Sequence, residues 1–194
     1  LEFRRVLFRS QPGDGGADLW LPREWQEGRS YGELLRERGE RQLVFGAGEV
    51  VLLLRRLLPA LAVLHSQQLC HGDLCPANLL RRERDGLPVL LDIGPGGVTP
   101  AYAPPERGRG EPPQPWMDLH GLRVVALVLL SGEPPASLLD PGSLQWRRPA
   151  ALDDLPELRA ALERLLSPDP SQRFASASAA LQALQALPMP ESTG

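Results

Sequence analysis

The sequence contains no lysine: all 21 of its basic side chains are arginine. Asparagine and isoleucine occur once each, as Asn78 and Ile93, among 194 residues. Such a bias is typical of GC-rich coding DNA, so the single retained asparagine carries more information than an asparagine usually does. The absence of lysine excludes any mechanism that requires a lysine from this chain.

Other features that the sequence lacks narrow the class of protein. The formal net charge of -3 provides no basic surface for nucleic acid or for an anionic membrane. Two cysteines, Cys70 and Cys75, are too few and too close together for a disulfide framework, which favours a reducing, cytoplasmic compartment. The most apolar stretch, residues 50–64, is interrupted by two arginines and a proline. We therefore expect no membrane insertion and no nucleic-acid partner.

The two ends of the chain differ in composition from its middle. Residues 1–10 lack the continuous apolar core of a signal peptide and look like translated cloning sequence, so we expect a non-native leader. We expect residues 188–194 to form a disordered tail. Hydrophobic residues make up 42% of the sequence, enough for one globular unit with a real core.

Local patterns predict mainly helices. Ser30 and Glu33 have the spacing of a capping box, which begins a short helix that we expect Gly39 to close. We predict a short strand over 18–25, an apolar helix over about 48–66 kinked at Pro59, a fully buried helix over 119–132, and amphipathic helices over 155–167 and 176–187.

Asp85-Gly86 lies between two apolar runs and predicts a β-hairpin. An antiparallel pair folded at this turn returns Asp92 to the neighbourhood of Asn78, and Asp73 lies on the loop before them. Two carboxylates and an amide oxygen suit Mg²⁺, which prefers hard oxygen ligands. A carboxylate that does not bind the metal could accept the proton of a hydroxyl. The cluster therefore favours phosphoryl-transfer chemistry.

The segment HGDLCPAN, residues 71–78, resembles the catalytic loop H-R-D-L-x-x-x-N of protein kinases, and Asp92-Ile-Gly94 resembles their D-F-G motif. Further matches over about 20–187 follow in family order. They are Arg23–Gly28 as the hinge, Thr99–Glu106 (TPAYAPPE) as the A-P-E segment, Asp118-Leu-His-Gly-Leu as the start of the buried helix, and Asp169-Pro-Ser-Gln-Arg173 as D-P-x-x-R.

The resemblance implies an α+β, mainly helical fold: a kinase C-terminal lobe whose small β-hairpin carries the catalytic loop and the D-x-G motif. Residues 11–28 would be the remnant of the N-terminal lobe and hinge, and residues 29–187 the C-terminal lobe. The implied function is a bacterial-type serine/threonine protein kinase, which transfers a phosphoryl group from ATP to a protein hydroxyl with Mg²⁺ as cofactor.

The family also implies a role for each matching residue. Asp73 would be the catalytic base, with Asn78 and Asp92 as the Mg²⁺ ligands. The adenine would contact Leu80 and the backbone near Glu24 and Gln26. His71 would be structural, Asp118 would brace the catalytic loop, and Glu106 would form a buried ion pair with Arg173.

The sequence departs from the family in its nucleotide-binding parts. No G-x-G-x-x-G loop precedes the hinge, and the strand lysine that holds the ATP phosphates has no counterpart. We therefore expect this chain to need a nucleotide-binding lobe as partner, and to be inactive and bind ATP poorly alone. Cys75 occupies the place of the lysine that faces the transferred phosphate, and Gly72 replaces the usual arginine.

These departures leave two alternative functions open. The first is a pseudokinase, a binding or scaffold module that has lost the chemistry. The second is a small-molecule phosphotransferase, because H-G-D…N without the lysine also resembles antibiotic and choline kinases. The A-P-P-E segment and D-P-S-Q-R favour the protein-kinase branch.

A zinc site is a further interpretation of the same region. His65, Cys70, His71 and Cys75 have the spacing H-x4-C-H-x3-C, which matches no usual structural zinc site. The adjacent side chains of Cys70 and His71 would also point apart. We therefore do not expect zinc to bind these four residues.

Overall fold

The computed structural model of this chain describes residues 3–8, 19–24, 26–94, 97–140, 142–143, 145–165, 167 and 172–190. The strands are β1 (Phe3–Phe8), β2 (Leu19–Glu24), β3 (Gly28–Ser30), β4 (Leu79–Arg82) and β5 (Pro88–Leu90). The helices are α1 (Tyr31–Glu40), α2 (Ala47–Ser66), α3 (Pro105–Gly108), α4 (Pro115–Ser131), α5 (Pro135–Leu138), α6 (Pro156–Arg164) and α7 (Ala177–Ala186). This mainly helical arrangement with small antiparallel sheets confirms the α+β class.

Helix α1 begins at the predicted capping box. The Ser30 hydroxyl accepts a hydrogen bond from the Glu33 amide at 3.1 Å, and the Glu33 carboxylate accepts one from the Ser30 amide at 2.7 Å. These bonds to Ser30 lower the pKa of Glu33. The box therefore has its full effect above the pKa of a free glutamate and weakens as the carboxylate is protonated in acid.

Replacing Ser30 by alanine is expected to lower the free energy of unfolding by about 1 kcal/mol, because the Glu33 amide loses its acceptor. Urea denaturation measures this change. The matched control is Ser66→Ala at the other end of a helix, where an exposed hydroxyl only donates to the carbonyl of Val63. A loss in Ser30→Ala no larger than in Ser66→Ala would contradict the capping role.

The predicted end of α1 was wrong. Gly39 lies inside the helix, which continues through Glu40, and the residue in the left-handed conformation is Gln42, with φ 56°. The amides of Arg41 and Leu43 both donate to the carbonyl of Arg38, so backbone bonds close the helix without a glycine.

The core lies between α2 and α4. Helix α2 spans the predicted range, contains Pro59 and buries one face that includes Leu54, Leu58 and Leu61. Helix α4 is buried along nearly its whole length, as predicted, and ends at Ser131, which is followed by Gly132 with φ 72°. Helix α7 packs on α2, where the Arg55 guanidinium donates to the carbonyls of Leu184 and Leu187. The two predicted amphipathic helices are found as α6 and α7.

The predicted hairpin is present and carries a third strand. Strand β4 pairs with β5, with Leu79 opposite Leu90, and its other edge pairs with β3. In the turn, the Arg82 guanidinium donates two hydrogen bonds to Asp85, which lowers the pKa of that carboxyl to about 2. Gly86 takes a φ of 66°, a left-handed conformation that glycine adopts without strain. The hairpin fixes where the chain returns after Asn78.

The N-terminal strands form a separate antiparallel pair. Strand β2 confirms the strand predicted over 18–25, and it pairs with β1, where Phe3 lies opposite Glu24. Residues 1–10 include β1, and their assignment as a non-native leader stays a prediction.

From residue 191 onward, the predicted disordered tail lies outside the described residues. Among the helices that the structure describes, none combines the length and apolarity needed to cross a membrane.

Candidate active site

The loop that begins at His71 is attached to α4 by one buried carboxylate. Asp118, only 2% exposed, accepts hydrogen bonds from the amides of His71 at 2.8 Å and Gly72 at 2.9 Å. The same carboxylate lies 2.9 Å from Nε2 of His65, at the end of α2. Three hydrogen bonds to one carboxylate hold the first two residues of this loop against the core. Asp118 thus lies where the resemblance implies a brace.

Asp73 and Asn78 are in direct contact. Nδ2 of Asn78 donates to the backbone carbonyl of Asp73 at 2.9 Å and to its carboxylate oxygen Oδ2 at 3.1 Å. The other carboxylate oxygen, Oδ1, accepts a hydrogen bond from the backbone amide of Thr99 at 2.7 Å. A short 3₁₀ turn, Pro76–Asn78, sets this geometry by bringing Asn78 back beneath the loop. The Asp73 carboxylate is therefore fixed on both sides.

The chain returns from the hairpin directly beside Asn78. The amide of Leu91 donates to the carbonyl of Asn78 at 2.9 Å, which places Asp92 one residue further along. Gly94 then donates to the carbonyl of His71 at 3.1 Å, so the segment 91–94 closes over the catalytic loop. Asp92 is exposed and left-handed, with φ 52°, a conformation that aspartate tolerates better than most residues. The structure thus brings Asp73, Asn78 and Asp92 to one edge.

The donor atoms at this edge fit a hard cation. Because Nδ2 of Asn78 donates to Asp73, its Oδ1 is the amide atom left to bind a ligand. Among the described residues, the carboxylate of Asp92 makes neither a hydrogen bond nor an ion pair. One amide oxygen and one exposed carboxylate are ligands that suit Mg²⁺, which keeps its remaining positions for water and phosphate oxygens.

Cys75 is an apolar packing residue at the point where the resemblance implies a lysine. Its side chain is 4% exposed, and its sulfur accepts a hydrogen bond from the Thr99 hydroxyl at 3.6 Å. Thr99 therefore touches both Asp73, through its amide, and Cys75, through its hydroxyl. The contacts of Thr99 with Asp73 and Cys75 were not predicted from the sequence, because Thr99 was identified there only as part of the A-P-E segment.

The residues predicted to contact adenine lie along the sheet. Leu80 is a buried residue of β4 and pairs with Ser30 on one side and Val89 on the other. The side-chain oxygen of Gln26 accepts a hydrogen bond from Arg82 at 3.4 Å. Glu24 is the last residue of β2. Their contact with a nucleotide stays a prediction.

The predicted ion pair between Glu106 and Arg173 stays a prediction. Among the described residues, the cation that pairs with Glu106 is Arg109, at 3.6 Å. The guanidinium of Arg173 lies 4.7 Å from the ring centroid of Trp116 and donates to the carbonyl of Ser167 at 2.5 Å. A neighbour three residues away reaches Glu106 at little entropic cost, whereas Arg173 stacks on an aromatic ring. Asp169, from the same predicted motif, lies outside the described residues.

Comparison with known proteins shows what this chain is similar to. The model of the phosphotransferase enzyme family matches residues 5–103. Serine/threonine-protein kinase PknA of Nostoc is 34% identical over 189 residues, covering 86% of this chain and 32% of its relative. Serine/threonine-protein kinase C of Synechocystis is 31% identical over 192 residues, covering 88% of this chain and 35% of its relative. The chain thus spans about a third of the length of these curated relatives.

A solved structure has the same fold. The PknI kinase domain of Mycobacterium tuberculosis superposes with a TM-score of 0.70 and 27% identity, covering 87% of this chain and 66% of that one. The mainly helical fold and the small sheet therefore have the architecture that the catalytic-loop resemblance implies. The chain belongs to the phosphotransferase enzyme family and has the fold of a serine/threonine protein kinase domain.

Proposed function

We propose that this chain supplies the phosphoryl-transfer site of an ATP-dependent serine/threonine protein kinase of cytoplasmic location. The observation that carries the proposal is the contact between Asp73 and Asn78, with Asp92 returned beside them by the hairpin. The names of the relatives support protein hydroxyls as acceptors. The two free cysteines support a reducing compartment.

Asp73 is the group that acts on the acceptor. Its carboxylate would orient the substrate hydroxyl and accept its proton as the oxygen attacks the phosphorus. The amides of Thr99 and Asn78 hold the two carboxylate oxygens in place, so little reorganisation is needed when the substrate binds. Thr99 is therefore a positioning residue for the base.

Asn78 and Asp92 are the residues that would hold Mg²⁺. When bound, this ion neutralises the charge on the ATP phosphates. Asn78 has a second function, since the amide nitrogen that does not face the metal holds Asp73. A single asparagine thus connects the metal ligands with the base.

Titration of the 194-residue chain with Mg²⁺-ATP is expected to show negligible affinity. The chain has no lysine, and its sequence has no G-x-G-x-x-G loop for the phosphates before the hinge; these groups supply much of the binding in the family. Isothermal titration calorimetry measures the affinity, with the same chain joined to a nucleotide-binding lobe as the positive control. Micromolar affinity of the chain alone would show that this lobe is dispensable.

A pseudokinase function is the alternative that a specific observation favours. Cys75 is buried and its sulfur accepts a hydrogen bond from Thr99. No positive charge therefore faces the transferred phosphate from this position. Against this alternative, the three groups needed for proton transfer and metal binding are all present. The family match over residues 5–103 leaves small-molecule phosphotransfer as a further, less favoured alternative.

One assay separates the three functions. The nucleotide-binding lobe of Nostoc PknA is joined ahead of Gln26, and transfer of labelled γ-phosphate is measured to a protein mixture and to small hydroxyl compounds. We expect labelled phosphoserine or phosphothreonine in protein. Nucleotide binding without any transfer would support the pseudokinase instead, and transfer to small hydroxyl compounds alone would support the third function.

A further inference from the structure

A second cluster of metal-binding side chains lies behind the catalytic loop. It consists of His65 at the end of α2, Cys70 in the following loop and Asp118 in the first turn of α4. One ligand atom from each of these residues lies within 4.8 Å of those of the other two. We propose that His65, Cys70 and Asp118 bind one Zn²⁺ ion, at a site separate from the Mg²⁺ ligands.

The donor set matches the chemistry of zinc. A nitrogen, a sulfur and a carboxylate oxygen are its usual protein ligands, and a water molecule would complete a tetrahedral site. A thiolate and a carboxylate together balance the double positive charge of the ion. The buried site is therefore neutral as a whole, which avoids the high cost of an unpaired buried charge.

The surroundings of the cluster provide an entry path, and the ring nitrogen of His65 that faces the carboxylate ligand is Nε2. It lies 2.9 Å from Oδ2 of Asp118, so a bound ion would take the place of this hydrogen bond. The side chain of Asp118 is 2% exposed and that of His65 10%, whereas Cys70 is only partly buried. An ion can thus reach the thiol from solvent and then contact the two deeper ligands.

Arg107 is a nearby cation that disfavours metal binding at this site but does not prevent it. Arg107 lines the same small cavity as Asp118, together with Gly72 and Asp73. Its positive charge repels a divalent ion, whereas the thiolate and the carboxylate among the ligands attract it. A softer, thiolate-binding metal is favoured over Mg²⁺ or Ca²⁺, because those ions avoid sulfur.

The positions of these three residues in the sequence explain why no zinc site was predicted from the sequence alone. His65 and Asp118 are 53 positions apart, so no local motif contains both. His71 and Cys75, which were weighed with His65 and Cys70, do not belong to the cluster. Because Asp118 also accepts the amides of His71 and Gly72, a bound ion would connect α2, α4 and the start of the catalytic loop.

Cobalt substitution tests the site in the full 194-residue chain. Titration with Co²⁺ is expected to give a thiolate-to-cobalt charge-transfer band that saturates at one equivalent and disappears when Zn²⁺ is added. Cys70→Ser should lose the band and bind Zn²⁺ at least about 100-fold more weakly, since even indirect supporting residues change metal affinity by 10- to 100-fold.

The second cysteine provides the matched control. Cys75→Ser should keep the band, because Cys75 bonds to Thr99 and lies outside the cluster. His65→Gln removes a second proposed ligand and should lose the tetrahedral binding of Co²⁺. The glutamine amide can still donate a hydrogen bond to Asp118, so the contact between α2 and α4 is kept. Circular dichroism verifies that each variant is folded. Absence of the band in the folded parent chain, or its persistence in Cys70→Ser, would overturn the proposal.

Discussion

Replacing Asp118 by alanine is expected to lower the free energy of unfolding by about 3–5 kcal/mol, the cost typical of breaking a buried charged network. The substitution leaves the amides of His71 and Gly72 without their acceptor in the protein interior. It also removes the partner of His65, 2.9 Å away. Urea denaturation followed by circular dichroism measures the loss.

Asp140→Ala is the matched control for this substitution. Asp140 also accepts two backbone amides, those of Gly142 and Ser143, but in an exposed loop where water can replace the carboxylate. We therefore expect a much smaller loss of stability. Equal losses in the two variants would contradict the view that Asp118 fixes the catalytic loop by buried hydrogen bonds.

Replacing Asp73 by asparagine is expected to lower the rate of phosphoryl transfer by about 10²- to 10⁴-fold, the usual contribution of a general base. Asparagine keeps the shape of the side chain and one oxygen, which can accept the bond from Asn78, while the bond from the Thr99 amide is lost. It cannot accept the proton of the substrate hydroxyl. The rate is measured in the chain joined to a nucleotide-binding lobe, as in the transfer assay above.

Two readouts separate this loss from a structural defect. Circular dichroism should show a folded Asp73→Asn protein, with a melting temperature lowered only as far as one lost hydrogen bond requires. Its dissociation constant for Mg²⁺-ATP should change little, because the metal ligands are intact. Asp154→Asn, on the exposed loop before α6, should leave the rate unchanged. A rate for Asp73→Asn within threefold of the parent would contradict the assignment of Asp73 as the base.

The sequence predicted the features that depend on neighbouring residues. The capping box at Ser30 and Glu33 requires only a three-residue spacing, and the hairpin requires only Asp85-Gly86 between apolar runs. The hairpin in turn predicted that Asp92 returns to Asn78, since an antiparallel register leaves no other path. The main site could therefore be located from local rules.

The features that sequence reasoning missed depend on side chains that are distant in the chain or have several possible partners. Thr99 reaches Asp73 and Cys75 from 26 and 24 positions away, and no pattern at Thr99 specifies either contact. Glu106 also pairs with Arg109, three positions away, and no motif in the sequence pointed to that contact. The cluster of His65, Cys70 and Asp118 forms only because α2 and α4 pack together.

The central claim is that Asp73, Asn78 and Asp92 form one metal-binding and proton-accepting site. Asn78 is the only asparagine in the chain, so selective ¹⁵N-asparagine labelling gives the signal of one side-chain amide group, a pair of cross-peaks at a single nitrogen shift, in an NMR spectrum. Its Nδ2 donates to Asp73, and its neighbour Leu91 precedes Asp92. This one signal therefore reports on the whole site.

Titration with Mn²⁺ of the labelled chain and of Asp92→Asn tests the claim directly. Paramagnetic broadening is expected to remove the Asn78 side-chain signal in the parent chain, and to require a much higher Mn²⁺ concentration in Asp92→Asn. Equal broadening of the signal in both proteins, or a signal that survives saturating Mn²⁺ in the parent chain, would contradict the assignment of Asn78 and Asp92 as metal ligands.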